Sequence, residues 1–155
     1  MAAVSGVMFV SNVNAEEKAV PLDKLPKVVT DAVKKMFPKA KMVEATQEEE
    51  DGKIEYEVTI KENGKKIDVT VKADGKIESL EKEIDLKDLP KAVTEALKKS
   101  NPKDVAKSAE AVYEIEDGKE ELEYYEILLK TPDDKEIEAK FKPDGTVFKD
   151  DDKKE

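Results

Sequence analysis

The segment Leu25-Pro26-Lys27-Val28-Val29-Thr30-Asp31-Ala32-Val33-Lys34-Lys35-Met36-Phe37-Pro38-Lys39 returns later as Leu89-Pro90-Lys91-Ala92-Val93-Thr94-Glu95-Ala96-Leu97-Lys98-Lys99-Ser100-Asn101-Pro102-Lys103. Ten of the fifteen positions are identical. Self-similarity of this degree marks a duplicated structural unit. It restricts the chain to architectures that use one supersecondary unit twice.

Each copy opens with a helix. Leu25, Val28, Val29, Ala32, Val33 and Met36 recur with the spacing of a single apolar helix face, as do Leu89, Ala92, Val93, Ala96 and Leu97. Pro26 and Pro90 fit the first turn, where a missing N–H is harmless. Asp23 and Asp88 are candidate N-caps. Pro38 and Pro102 stop the helices, and Lys34-Lys35 and Lys98-Lys99 suit the negative end of the helix dipole.

After each helix the apolar period becomes two. Ile54, Tyr56, Val58 and Ile60 alternate with charged or hydroxyl residues, and so do Ile67, Val69 and Val71. In the second copy Tyr125, Ile127 and Leu129, and then Ile137, Ala139 and Phe141, repeat the pattern. Asp51-Gly52, Asn63-Gly64, Asp74-Gly75, Asp117-Gly118 and Asp144-Gly145 fall between such runs, which is a strong hairpin signal. Strands are expected near 41–50, 53–61, 65–73 and 76–82, and near 106–116, 121–130, 135–142 and 146–149. The fold class is α+β: two tandem α-β-β-β-β units, at 20–82 and 84–149, forming antiparallel sheet with both helices packed on one face. A unit of this size is weakly stable alone, so the two are expected to support each other.

Residues 1–15 read as a truncated signal peptide. Met1 to Val10 is apolar and uncharged, and Val13-Asn14-Ala15 has the small residues of a cleavage site. The stretch is too short to cross a bilayer, so no membrane span is expected in the mature chain. Residues 150–155 read as a charged, solvated tail.

The 155-residue chain carries 38 acidic and 28 basic residues, a net charge of −10, which excludes the basic surface that nucleic acid requires. Every basic residue is lysine, so the planar arginine fork is also missing. His and Cys are absent. Catalytic triads, His or Cys metal ligation and disulfides are therefore excluded, and neither a metal nor a cofactor is expected.

The order of these elements resembles a known family. A helix opening with Leu-Pro-Lys and closing with Pro-Lys (Leu25 to Lys39, Leu89 to Lys103) precedes hairpins bearing Tyr-Glu-Val (Tyr56 to Val58) or Tyr-Glu-Ile (Tyr125 to Ile127). These lead to the turns Asp74-Gly75 and Asp144-Gly145. The pattern resembles the beta-lactamase-inhibitor-like, PepSY-like proteins secreted by bacteria, over roughly residues 20 to 149. The resemblance implies a helix-plus-four-strand unit used in tandem, outside the cytoplasm, without catalytic residues.

Among candidate functional residues, the acidic runs Glu48 to Asp51 and Glu120 to Glu123 read as solvated hairpin tips. Asp150-Asp151-Asp152 lacks the spacing of a calcium loop. The polar sheet face is the better candidate. It carries Glu55, Glu57, Thr59, Asp68, Thr70 and Lys72 in the first copy. Aligning the copies sets Tyr124 against Glu55, Val112 against Thr46 and Leu128 against Thr59. A partner-binding patch of Val112, Tyr124, Glu126 and Leu128 follows, with cover by the C-terminal segment as its competitor. The function expected is that of a non-enzymatic periplasmic or extracellular binding module, inhibitory or sensory, whose partner is another envelope protein. An envelope structural protein is the alternative, and a carboxylate-dependent hydrolase a remote one.

Overall fold

A computed structural model describes residues 18–50 and 52–149. The expected signal segment and charged tail lie outside these residues. Eight strands form one antiparallel sheet in chain order: β1 (Lys18–Ala19), β2 (Lys41–Glu50), β3 (Lys53–Glu62), β4 (Lys65–Lys72), β5 (Ile77–Ile84), β6 (Val105–Glu116), β7 (Lys119–Lys130) and β8 (Glu136–Phe141). Two helices, α1 (Lys27–Met36) and α2 (Lys91–Ser100), precede β2 and β6.

The helices begin one residue later than a proline in the first turn would give. Pro26 and Pro90 are themselves the caps, at φ −55° and ψ 139° and 145°. Asp23 and Asp88 do not cap; each lies in a short 3₁₀ turn, Leu22–Lys24 or Leu86–Asp88. The reason is the proline, which pushes the residue before it out of helical space. Leu25 and Leu89 accordingly sit extended, at ψ 141° and 137°. The first turns are tied by threonine instead: Thr30 Oγ1 donates to the Pro26 carbonyl at 2.9 Å and Thr94 Oγ1 to the Pro90 carbonyl at 3.1 Å.

The chain forms two compact units. One holds residues 18–83 together with Val112–Leu122; the other holds Ile84–Ala111 and 123–149. The far end of the β6–β7 hairpin thus groups with the first unit, although its sequence belongs to the second repeat. In the first unit Val29 and Val33 of α1, with Leu25 ahead of the helix, are buried with Tyr56, Val58, Ile60, Val69, Val71 and Leu80, and Ile115 joins this core. In the second, Val93 packs with Ala109, Ile127, Leu129 and Phe141.

Asn63-Gly64 and Asp117-Gly118 both have two consecutive positive φ values, the geometry of tight two-residue hairpin turns. The fourth strand expected at 146–149 is reduced to a single bridge, Phe141 to Val147. Its counterpart in the first copy is the full strand β5. The short strand β1, which pairs Lys18 with Gln47 and Ala19 with Thr46, has no equivalent in the sequence reading.

Candidate functional site

Hairpin register aligns the two copies residue by residue. Tyr56 pairs with Val71 and Glu55 with Lys72 across β3–β4; Tyr125 pairs with Phe141 across β7–β8. The turns that follow are equivalent as well. The Gly75 N–H donates to the Lys72 carbonyl and the Gly145 N–H to the Lys142 carbonyl, both at 2.8 Å. Asp74 and Asp144 each accept from the backbone N–H two residues on, at 2.9 Å. Glu55 therefore corresponds to Tyr124, Lys72 to Lys142, and Glu78 to Phe148.

These corresponding positions make opposite kinds of contact. In the first copy Glu55 and Glu78 share a carboxyl–carboxyl hydrogen bond, and Lys72 Nζ pairs with Glu78 at 2.7 Å. Burial, then repulsion by Glu78 and the hydrogen bond to it, holds the Glu55 carboxyl above the ordinary glutamate value. In the second copy the rings of Tyr124 and Phe148 stack at 4.1 Å and 24°. The Lys140 ammonium lies 5.5 Å from the Tyr124 ring and the Lys142 ammonium 5.9 Å from the Phe148 ring. One copy joins its second and fourth strand positions with carboxyls, the other with aromatic rings.

The residues expected to bind a partner are placed accordingly. Tyr124 and Val112 are each only 4% exposed, so neither is the open anchor that alternation predicts. For Tyr124 the cover is Phe148, in the C-terminal segment. Glu126 and Leu128 are half-buried, and Glu126 pairs with Lys140 at 3.3 Å. Tyr124, Glu126 and Lys140 form one cluster in the second unit; Val112 belongs to the first unit. The signal for this cluster was present in the sequence. Two aromatic residues replace two glutamates at positions that touch in the first copy.

The polar face of the first copy is not uniformly solvated. Thr59 and Asp68 are buried, and Thr59 Oγ1 donates to Asp68 Oδ1 at 2.6 Å, with Lys66 Nζ 2.6 Å from the other carboxylate oxygen. This satisfies a charge that would otherwise be costly to bury. Further along the face, Thr46, Glu48, Glu55, Glu57 and Thr70 line a small depression of about 120 Å³. Of the expected acidic tips, Glu48 contributes to this depression, and Glu120 pairs with Lys82 at 2.5 Å. The Lys82 ammonium also lies 4.7 Å from the Tyr113 ring.

A helix laid on antiparallel strands, used twice along one sheet and bearing a polar outer face, defines a tandem α+β module. The family described as "Putative beta-lactamase-inhibitor-like, PepSY-like" matches residues 11–79 and 76–149, and the chain belongs to it. Solved structures share the fold at low identity. A "putative periplasmic" protein of Bacteroides eggerthii is 21% identical, with a TM-score of 0.64, covering 80% of this chain and 86% of its own. A DUF2874 family protein of Bacteroides uniformis is 16% identical, with a TM-score of 0.64 and coverage of 81% and 87%. A BLIP-like protein of Bacteroides fragilis is 19% identical, with a TM-score of 0.58 and coverage of 81% and 85%. Comparison with curated proteins gave no match. Among the described residues, no helix is long and apolar enough to cross a membrane.

Proposed function

We propose that this protein is a non-enzymatic binding module of the cell envelope, periplasmic or secreted, that engages another protein through the outer sheet face of its first copy. The observation that carries this reading is the contrast between the copies. Phe148 closes the second copy's face over Tyr124, whereas the first copy keeps Glu48, Glu55 and Glu57 around a depression. Burial raises the Glu55 carboxyl first and the neighbouring carboxylates of Glu78 and Glu48 raise it further, so negative charge is crowded there, which suits a partner presenting lysine or arginine. At about 120 Å³ the depression is well below the roughly 300–1,000 Å³ of small-molecule sites, which favours a macromolecular surface over a hydrolase cleft. Family membership and the periplasmic description of a structural neighbour support the compartment. Glu126 and Leu128, at the half-buried part of the second copy's face, are the remaining candidates there for a contact at the edge of such an interface.

The test is capture from envelope extract with the 16–155 chain, in parallel with a Glu48→Lys, Glu57→Lys variant. A partner retained by the first and lost by the second supports the reading. A partner retained equally by both places the interface elsewhere, and Glu126→Lys then tests the second copy's face.

A further inference from the structure

The β6 and β7 strands run for 12 residues each, against 10 each for β2 and β3 in the equivalent hairpin. The added length carries Ile115 into the first unit's core and sets the Asp117-Gly118 turn beside α1. A cleft of about 430 Å³ results, on the helix side of the first unit and away from the acidic depression. Its floor is apolar: Ala32 and Met36 from α1, Ile77 from β5 and Ile115 from β6. Lys35, Lys76 and Asp117 are exposed at its mouth. The volume lies in the range of small-molecule sites, roughly 300–1,000 Å³, whose walls are mostly apolar with few polar groups.

Charge decides the class of ligand. The chain as a whole carries −10, yet this mouth presents two ammonium groups and one carboxylate. The long lysine stems lie along apolar surface and leave their charges at the rim. Asp117 disfavours a second negative charge on whatever enters. The second copy lacks the equivalent: Ser100 stands for Met36 and Thr146 for Lys76, removing apolar floor and cation together. We propose that the cleft binds an aliphatic monocarboxylate, its chain on Ala32, Met36, Ile77 and Ile115 and its carboxylate held by Lys35 and Lys76. This site is independent of the protein-partner reading.

The experiment is a titration of the isotopically labelled full chain by amide NMR, with hexanoate, 1-hexanol and adipate as probes. Hexanoate should give saturable shifts confined to residues around Ala32, Met36, Ile77 and Ile115. Hexanol and adipate should bind at least fivefold more weakly, for want of charge and for excess of it. Lys35→Gln with Lys76→Gln should lower hexanoate affinity to that of hexanol with unchanged thermal stability, since both side chains are exposed. Met36→Ser with Lys76→Thr, which imports the second copy's residues, should abolish binding. Equal affinity for hexanoate and hexanol, shifts scattered over the surface, or a lysine double variant that binds as well as wild type would each overturn the proposal. A peptide ending in a free leucine carboxylate, compared with its amide, supplies the last arm. Tighter binding of that peptide than of hexanoate at these same residues would replace the free acid with a polypeptide C-terminus.

Discussion

Gly145 lies against the carbonyl of Ala92 so closely that a Cβ added to it would come within 2.6 Å of that oxygen. The same relationship recurs in the first copy between Gly75 and Val28, at 3.0 Å. Val28 and Ala92 occupy the same place in the repeated helix, so each Asp-Gly turn is a backbone seat for the start of its own helix. Both glycines also have strongly positive φ, +87° and +85°.

Gly145→Ala should therefore destabilise more than a change at a turn in open space. At Gly64, which has positive φ but nothing within 4 Å, alanine should lose about 1–2 kcal/mol from left-handed strain alone. Gly145→Ala should exceed this, because Ala92 backbone and not a flexible side chain must move. Gly75→Ala should fall between. Urea midpoints at constant slope would rank the three, and equal losses would show that helix seating contributes nothing.

Tyr124→Ala should strongly destabilise the second unit rather than spare it. A buried aromatic truncated to alanine loses about 3–5 kcal/mol. A double-mutant cycle with Phe148→Ala should return a coupling of about 0.5–1.5 kcal/mol for the stacked rings. Additive losses would mean the two rings do not depend on each other.

Val29→Asp and Val93→Asp should each destabilise by several kcal/mol, since both valines are fully buried and an unpaired carboxylate finds no partner there. Val28→Asp provides the contrast, because Val28 is 50% exposed. Loss of the thermal transition at 29 and 93, with its retention at 28, would verify the helix face.

Glu55→Gln should stabilise the protein at neutral pH. The folded pKa of Glu55 is raised, so its folded state is disfavoured once the carboxyl must ionise. Its favourable contribution is complete below the ordinary glutamate value and is lost as pH rises through the raised one. The gain from Gln should thus appear at neutral pH and fade as pH falls through the carboxylate range. A gain that persists unchanged in acid would point to packing instead of charge.

Much of the architecture is legible without coordinates, because its determinants are local. Apolar residues at three- and four-residue spacing identify α1 and α2, and Val29 and Val93 prove to be their buried centres. Alternation, punctuated at most hairpins by Asn-Gly or Asp-Gly and between β7 and β8 by Thr131-Pro132-Asp133-Asp134, locates seven strands within about two residues. The helix caps are misread because Asp23 and Asp88 are good capping residues, but the proline after each Leu overrides that preference. The strand at 146–149 is misread because Val147 and Phe148 satisfy a strand pattern, while only one bridge forms. Tyr124 is misread for a related reason. Alternation tells which face a side chain points to, and not whether another segment covers that face. Phe148 supplies the cover from 24 positions downstream.

The grouping of Val112–Leu122 with the first unit has a consequence for how the chain is made. During synthesis the first repeat emerges complete by residue 83, yet Tyr113 and Ile115 of its core have not been added. The earlier copy must wait, incompletely packed, for a hairpin encoded in the later one. Duplication gave two similar sequences, but the lengthened hairpin has made their folding interdependent. A half-length chain would be an unfinished protein rather than a smaller one.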